Sequence, residues 1–311
     1  MVPTGRTVPD ATRVPSFGVP QDVPVDAPPL GILLDVDGPV SSPDTRTVAP
    51  PLLRDLRSLL AAGIPVVLNT GRSVDFVAEK ILGPLTAAGL PPAARLHAVC
   101  EKGGVWTSAG PAGVGRIRID KELRTPDVCR DLVEALVRNG YGDAMFVDRT
   151  KQVMATVEAR TDVPNEEYLV RQKAFDADLL AGLRAAGLGV RLRDDVFPDA
   201  RGRTPWRIDP SVIATDVESV DSGKALGARR ALALLADDGP LPRVWHTVGD
   251  SRSDYAMADE LHGHGYEVTH VDVGPEPPLP GRPYAVTTVP GLVYEAAGAA
   301  HVRSVVEAQR G

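Results

Sequence analysis

The stretch Leu30-Gly-Ile-Leu-Leu-Asp-Val-Asp-Gly38 decides the fold. Its first five residues are apolar and follow two prolines, so they predict a short strand that is buried on both faces. Two carboxylates, Asp35 and Asp37, come directly after that strand. In parallel α/β sheets, ligands bind at the carboxyl ends of the strands. This stretch therefore predicts a central strand and one edge of a functional site.

Strand and helix signals alternate along the chain after this stretch. Leucines recur at helical spacing over 50–62, and buried strands are predicted over 64–68 and 97–100 with a helix over 73–82 between them. The same alternation returns after residue 215. Such an order is typical of an α/β fold with a doubly wound, Rossmann-like parallel sheet.

The middle of the chain shows a different pattern. Stretches such as 145–158 and 190–193 alternate between apolar and polar residues, as strands do when one sheet face is solvated. Amphipathic helices are predicted between these stretches. We therefore expect an inserted α+β domain over 108–214, and a core domain formed by 30–107 together with 215–311.

Composition narrows the class of protein. The 311 residues are 43% hydrophobic and 24% charged, as in globular proteins, and no stretch approaches the ~18 apolar residues of a membrane helix. A net charge of −7 argues against general binding to nucleic acid or anionic membranes. The only cysteines, Cys100 and Cys129, form no CxxC pair, which favours a cytoplasmic location. Seven prolines predict a flexible, Pro-rich arm over 1–29.

Four polar clusters follow predicted strands or open predicted helices. They are Asp35-Val-Asp-Gly38, Thr70-Gly-Arg72, Asp221-Ser-Gly-Lys224 and Gly249-Asp-Ser-Arg-Ser-Asp254. Each alone is an ordinary turn or helix start, because Asp, Ser and Gly favour both. Brought together, the carboxylates are costly without a cation, and oxygen ligands without histidine or thiol favour Mg²⁺. Thr70, Lys224 and the N–H groups of Gly38 and Gly71 would complete a cradle for a phosphoryl group.

The four clusters together resemble the motifs of the haloacid dehalogenase (HAD) superfamily. The long interval between Thr70 and Lys224 resembles the subgroup that carries a large α/β cap between the second and third motifs. That subgroup includes the Cof-type and sucrose-phosphatase-like enzymes. The resemblance implies a HAD core whose inserted cap selects the substrate.

The resemblance also implies a role for each polar residue. Asp35 would attack phosphorus and form an aspartyl-phosphate, and Asp37 would act as the general acid and base. Thr70 and Lys224 would stabilise the phosphoryl oxygens. The implied Mg²⁺ ligands are the Asp35 carboxylate, the Asp37 main-chain carbonyl and Asp250, with Asp254 supporting the metal's waters or Lys224.

Two basic residues are candidates for substrate or phosphate binding, and one proline departs from the family pattern. Arg72 completes the second motif. Lys102 stands where Cof-type relatives carry Asn, so it is predicted either to favour a substrate with extra negative charge or to be a solvated loop lysine. Pro39 removes an N–H group next to the first motif.

The favoured function is a Mg²⁺-dependent phosphatase acting on a small phosphorylated metabolite, such as a sugar or polyol phosphate. Asp37 favours a phosphatase or a phosphomutase over other members of the superfamily. Dehalogenases of the superfamily lack an acid at this position, and the transport ATPases carry threonine there. A phosphomutase resembling the phosphomannomutases, and a non-catalytic ligand-binding protein on the same fold, are the alternatives. Neither the ester nor the oligomeric state follows from the sequence.

Overall fold

A computed structural model describes residues 27–310, which form two β-sheets flanked by helices. The predicted arm over 1–29 lies outside the described residues, except for 27–29. Among the described helices, none combines the length and the hydropathy that crossing a bilayer requires.

The strands, in chain order, are β1 (Gly31–Leu34), β2 (Val66–Asn69), β3 (Leu96–Cys100), β4 (Val105–Gly110), β5 (Gly113–Val114), β6 (Arg118–Ile119), β7 (Met145–Asp148), β8 (Ala155–Ala159), β9 (Val190–Leu192), β10 (Asp195–Phe197), β11 (Trp206–Pro210), β12 (Ala214–Ser219), β13 (Val244–Gly249), β14 (Glu267–Asp272) and β15 (Ala285–Thr287). The helices are α1 (Pro50–Ala61), α2 (Val74–Val77), α3 (Gly83–Ala87), α4 (Asp127–Leu136), α5 (Asn165–Ala185), α6 (Lys224–Asp238), α7 (Tyr255–Gly263) and α8 (Tyr294–Ala308). A π-helical turn, Ala78–Leu82, joins α2 to α3, so the helix predicted over 73–82 extends further than expected.

The first sheet forms the core domain and has the strand order β15-β14-β13-β1-β2-β3-β4-β5, with β6 paired to β4. From β15 to β3 every neighbouring pair is parallel, and only β4, β5 and β6 pair antiparallel. Strand β1 lies between β13 and β2, and every residue of β1 is buried. This arrangement confirms the predicted doubly wound α/β core.

The second sheet has the order β10-β9-β11-β12-β8-β7, and α4 and α5 pack on one face. The prediction that its strands are half-exposed is wrong for β8, in which every residue is buried. Val157 packs among the apolar residues of the two helices, whereas Glu158 forms ion pairs with arginines of the core domain. At β8, the second face of this sheet therefore contacts the core domain.

The chain passes from the first sheet to the second after β6 and returns to the first sheet after β12. Strands β5 and β6 continue the first sheet as far as Ile119, and β12 belongs to the second sheet. The pattern does not predict β12, because the polar residues Asp216 and Glu218 occupy positions that a buried strand usually fills with apolar side chains. The division of the chain after 107 and after 214 stays a prediction.

Helix α6 packs closely against the end of β2. The Asn69 side-chain amide donates to the Lys224 carbonyl at 2.9 Å. One turn further along the helix, a Cβ atom on Gly227 would lie 1.9 Å from Asn69 Oδ1. The absence of a side chain at Gly227 therefore allows the first turn of α6 to reach the end of the strand.

We predict that Gly227→Ala lowers the free energy of unfolding by about 1–3 kcal/mol, the usual effect of overpacking. Urea denaturation followed by circular dichroism measures this effect. Gly263→Ala is the matched control, because it is also helical and has open space around a new Cβ; there the change should stabilise by about 0.5–1 kcal/mol. Equal stability of Gly227→Ala and the parent would show that the helix is not packed as described.

Candidate active site

The site is built where β1 and β13 end side by side. Asp35 follows β1 and Asp250 follows β13, and the two strands are parallel neighbours. Their carboxyl ends therefore meet at one edge of the sheet. One carboxylate oxygen from each of Asp35, Asp250 and Asp254 lies within 4.8 Å of the others.

Lys224, the first residue of α6, places its ammonium group among these acids. Its Nζ lies 2.7 Å from Asp35 Oδ1 and 2.6 Å from Asp254 Oδ1, and it donates to the Asn69 carbonyl at 3.0 Å. Burial alone would lower the pKa of Lys224, but the charges of Asp254 and Asp35 raise it above the ordinary value. The lysine is therefore charged and neutralises part of the acidic cluster.

The remaining negative charge perturbs the three acids in different directions. Burial, reinforced by the charge of Asp254, raises the pKa of Asp35 well above its ordinary value. The same two causes raise the pKa of Asp250 to about 7. Burial would also raise the pKa of Asp254, but Lys224 holds it below the ordinary value. One cation does not compensate three acids, and a divalent ion with hard oxygen ligands fits this donor set.

Two glycines allow the motif loops to approach this closely. Gly38 has a φ of +86°, and a Cβ atom there would lie 2.5 Å from Asp250 Cγ. A Cβ atom on Gly249 would lie 2.2 Å from Asp254 Cβ. Asp254 is also fixed by Ser251, whose N–H and hydroxyl donate to Asp254 Oδ2 at 3.0 and 2.7 Å.

Asp37 lies beside Asp35 but is held by Arg72. Arg72 Nε lies 2.9 Å from both Asp37 carboxylate oxygens, and Arg72 Nη2 lies 2.8 Å from Oδ1. The main-chain N–H group of Arg72 donates to Thr70 Oγ1 at 3.1 Å, and this hydrogen bond orders the second motif. Burial opposes the charge of Arg72, but Asp37 and Glu158 outweigh it and raise the pKa of the guanidinium.

Two residues of this network have no signal in the sequence. Arg72 Nη1 reaches Glu158 of the second sheet at 3.2 Å, and Arg46 Nη1 reaches the same carboxylate at 2.9 Å. Glu158 is 86 residues from Arg72 and 112 residues from Arg46 in the chain. No local spacing reveals such contacts, so Arg46 and Glu158 are absent from the predicted site.

Lys102 lies next to the second motif and turns toward the second sheet. Its Nζ lies 2.6 Å from Asp209, 3.1 Å from Asp216 and 3.0 Å from Glu218. Burial would lower its pKa, but these three carboxylates raise it. The charge of Lys102 is thus compensated within the protein, and its contact with a substrate stays a prediction.

The structure brings the predicted site residues to one edge of the core sheet. Gly71 lies at the same edge. Its carbonyl accepts a hydrogen bond from Lys151 of the second sheet's domain, and its Cα faces the Lys102 side chain. Their roles in binding and catalysis stay predictions. The residues are Asp35, Asp37, Gly38, Thr70, Gly71, Arg72, Lys102, Lys224, Asp250 and Asp254.

Comparison with solved structures finds the same fold at low sequence identity. A haloacid dehalogenase-like hydrolase from Bacteroides thetaiotaomicron superposes with a TM-score of 0.53 at 11% identity, over 88% of this chain and 98% of that chain. Thermoplasma acidophilum 0175 gives 0.51 at 14% identity, over 89% and 97%. N-terminally truncated Plasmodium falciparum IMP-nucleotidase gives 0.50 at 11% identity, over 88% and 69%.

These likenesses concern the fold alone. They confirm the predicted HAD-like α/β core with a second sheet domain. No family model matches the chain, and no curated protein matches it in sequence. The narrower placement in the Cof-type or sucrose-phosphatase-like subgroup stays a prediction.

We predict that Mg²⁺ raises the melting temperature of the chelator-treated protein at pH 8, because an ion that binds only the folded state stabilises it.

We also predict that Asp250→Asn changes both the melting temperature without Mg²⁺ and the gain in melting temperature from the ion. An acid whose pKa is raised on folding costs stability as the pH rises through that pKa, here about 7. The variant should therefore melt higher than the parent without Mg²⁺ and gain less from the ion.

Differential scanning fluorimetry with and without Mg²⁺ measures both effects. Asp195→Asn is the control, because this exposed carboxylate lies on β10, outside the acidic cluster; it should respond to Mg²⁺ as the parent does. An equal Mg²⁺ response of the parent and Asp250→Asn would contradict the proposed ion site.

Proposed function

We propose that this chain is a Mg²⁺-dependent phosphatase that hydrolyses a small phosphorylated metabolite of the sugar or polyol phosphate class. The observation that carries the proposal is the buried cluster of three carboxylates around the Lys224 ammonium, at the carboxyl ends of β1 and β13. The fold likeness to a HAD-like hydrolase and to a protein named IMP-nucleotidase supports a phosphatase-type reaction. The inserted domain, proposed over 108–214, would act as the cap.

Asp35 is the proposed nucleophile, and its surroundings select one of its oxygens for attack. Lys224 Nζ and the Val36 N–H group both bind Oδ1, at 2.7 and 2.6 Å. Oδ2 is therefore the oxygen directed to phosphorus, and its bond to the phosphoryl group would form the aspartyl-phosphate. Lys224 would keep its contact with Oδ1 and place its charge next to the transferring oxygens.

Asp37 is the proposed general acid and base. Its side chain is about one-third exposed, so it is accessible from solvent. Arg72 holds both of its oxygens, so neither oxygen is free to contact a leaving group. We infer that Arg72 moves off Asp37 and keeps its bonds to Glu158 when the substrate binds.

The acidic cluster fits a divalent ion. Asp35, Asp250 and Asp254, with the main-chain carbonyl of Asp37, would hold it. When bound, Mg²⁺ would neutralise the carboxylates and the charge of the phosphoryl group.

Both cysteines are free and buried, which supports our placement of the protein in the reducing cytoplasm.

We predict that a panel of phosphate esters, assayed by release of inorganic phosphate with Mg²⁺, yields at least one substrate. Asp35→Asn should lower kcat/KM by at least about 10³-fold, since the attacking oxygen is lost. Asp195→Asn should retain the parent rate. Hydrolysis by Asp35→Asn at the parent rate would contradict the covalent mechanism.

The same panel separates the phosphatase from the phosphomutase. A phosphatase releases phosphate from its substrate without a second phosphorylated compound. A mutase would release little phosphate and would convert one ester into its isomer when a sugar bisphosphate is added. The second result would replace the proposed reaction and keep the same nucleophile.

A further inference from the structure

A second polar constellation lies away from the carboxylate cluster. A cavity of about 210 Å³ opens between the face of β4 and the C-terminal end of α6. Trp106 and Leu234 provide apolar wall, and Arg116 and Arg118 lie at the rim. The cavity also contains a serine, a histidine and an aspartate that are hydrogen-bonded in series.

The three residues come from three different elements. His97 on β3 and Ser108 on β4 are direct partners in the antiparallel register, so their side chains share one face of the sheet. Asp238 is the last residue of α6. His97 Nδ1 lies 2.8 Å from Ser108 Oγ, and His97 Nε2 lies 2.9 Å from Asp238 Oδ2.

With Asp238 ionised and the imidazole of His97 neutral, both hydrogen bonds have a defined direction. An ionised carboxylate only accepts, so Asp238 receives the proton of His97 Nε2. In the neutral imidazole, Nδ1 then carries the lone pair and accepts the hydroxyl proton of Ser108. Serine, base and orienting acid thus stand in the order that nucleophilic catalysis requires.

The structure around the three residues holds them in place. The His97 side chain is only 3% exposed, and it lies between its two partners. Arg95 binds the carbonyls of Leu235, Gly239 and Pro240, which fixes the end of α6 beside β3. Ser108 is half-buried and lines the cavity, so its hydroxyl faces a space that a small ligand can enter.

We propose that Ser108, His97 and Asp238 form a second catalytic site, which hydrolyses small carboxylic esters. Ser108 Oγ bonds to the carbonyl carbon while its proton passes to His97 Nδ1. The bond from that carbon to the alcohol oxygen breaks, and the alcohol leaves with the proton. A water oxygen then bonds to the acyl carbon and its proton passes to His97 Nδ1; the bond from that carbon to Ser108 Oγ breaks, Oγ takes the proton back from His97, and a carboxylic acid is released.

The cavity walls define the class of ester. Its volume is below the range of about 300–1,000 Å³ for drug-sized ligands, so it suits a short acyl chain packed on Trp106 and Leu234. Arg116 and Arg118 also line the cavity, and their guanidinium groups would supply N–H donors for the developing oxyanion. Neither arginine forms an ion pair or side-chain hydrogen bond with another residue of 27–310.

The test uses the full-length protein, p-nitrophenyl acetate as the substrate and a fluorophosphonate as the serine-directed label. Peptide mass spectrometry should find the label on Ser108, and Ser108→Ala should remove it. Ser108→Ala should also lower ester hydrolysis by roughly 10²-fold, the usual contribution of such catalysis, and Asp238→Asn by at least roughly 10-fold. Ser304→Ala, an exposed serine on α8, is the control and should keep both the label and the rate.

Each result decides the proposal. Absence of label on Ser108, or parent-like hydrolysis by Ser108→Ala, would overturn it. Asp35→Asn separates this site from the proposed phosphatase site: hydrolysis of the acetate ester that persists in this variant belongs to the second site. Loss of that hydrolysis in Asp35→Asn would assign it to the carboxylate cluster and overturn the second site. Melting temperatures of all variants verify that they are folded.

Discussion

The ion pairs of the buried Lys224 ammonium with Asp35 and Asp254 are the interaction on which the site depends. Breaking such a pair from one side leaves an uncompensated charge inside the protein, which is strongly destabilising. The pairs require α6 to begin at the end of β2, and the contact between Gly227 and Asn69 permits that position. The folding of the core and the placement of the proposed nucleophile therefore rest on the same contacts, and the charge that Lys224 leaves unbalanced is what favours a divalent ion.

Ion pairs join the two sheet domains near the site, next to the apolar Val153 and Met154, which pack in the core cluster. Arg72 and Arg46 share Glu158, and Lys102 is surrounded by carboxylates of β11 and β12. Polar interfaces between domains resemble those of transient complexes, which separate more readily than apolar ones. In the proposed cap, such ion pairs would part when a substrate enters and form again on closure. The same network would link the position of the proposed cap to catalysis, because Arg72 binds both Glu158 of the second sheet and the proposed general acid Asp37.

The parts of the molecule that sequence reasoning predicts are those with local signals. The alternation of apolar runs and amphipathic helices predicts the doubly wound core, and short motifs such as Asp35-Val-Asp37 predict which strand ends meet. Strand β12 escapes prediction because Asp216 and Glu218 face a charged interface. Arg46, Glu158 and the Ser108–His97–Asp238 series escape it because their partners are brought together by sheet register and helix packing over long chain distances.

The most direct test of the account is a crystal structure of the protein with Mg²⁺ and beryllium fluoride, a mimic of a phosphoryl group on an aspartate. The account predicts that beryllium is bonded to Asp35 Oδ2, that Lys224 lies within hydrogen-bond distance of a fluorine, and that Mg²⁺ is bound by Asp35 and Asp250. Beryllium fluoride on another residue, or Mg²⁺ away from the Asp35, Asp250 and Asp254 cluster, would contradict it.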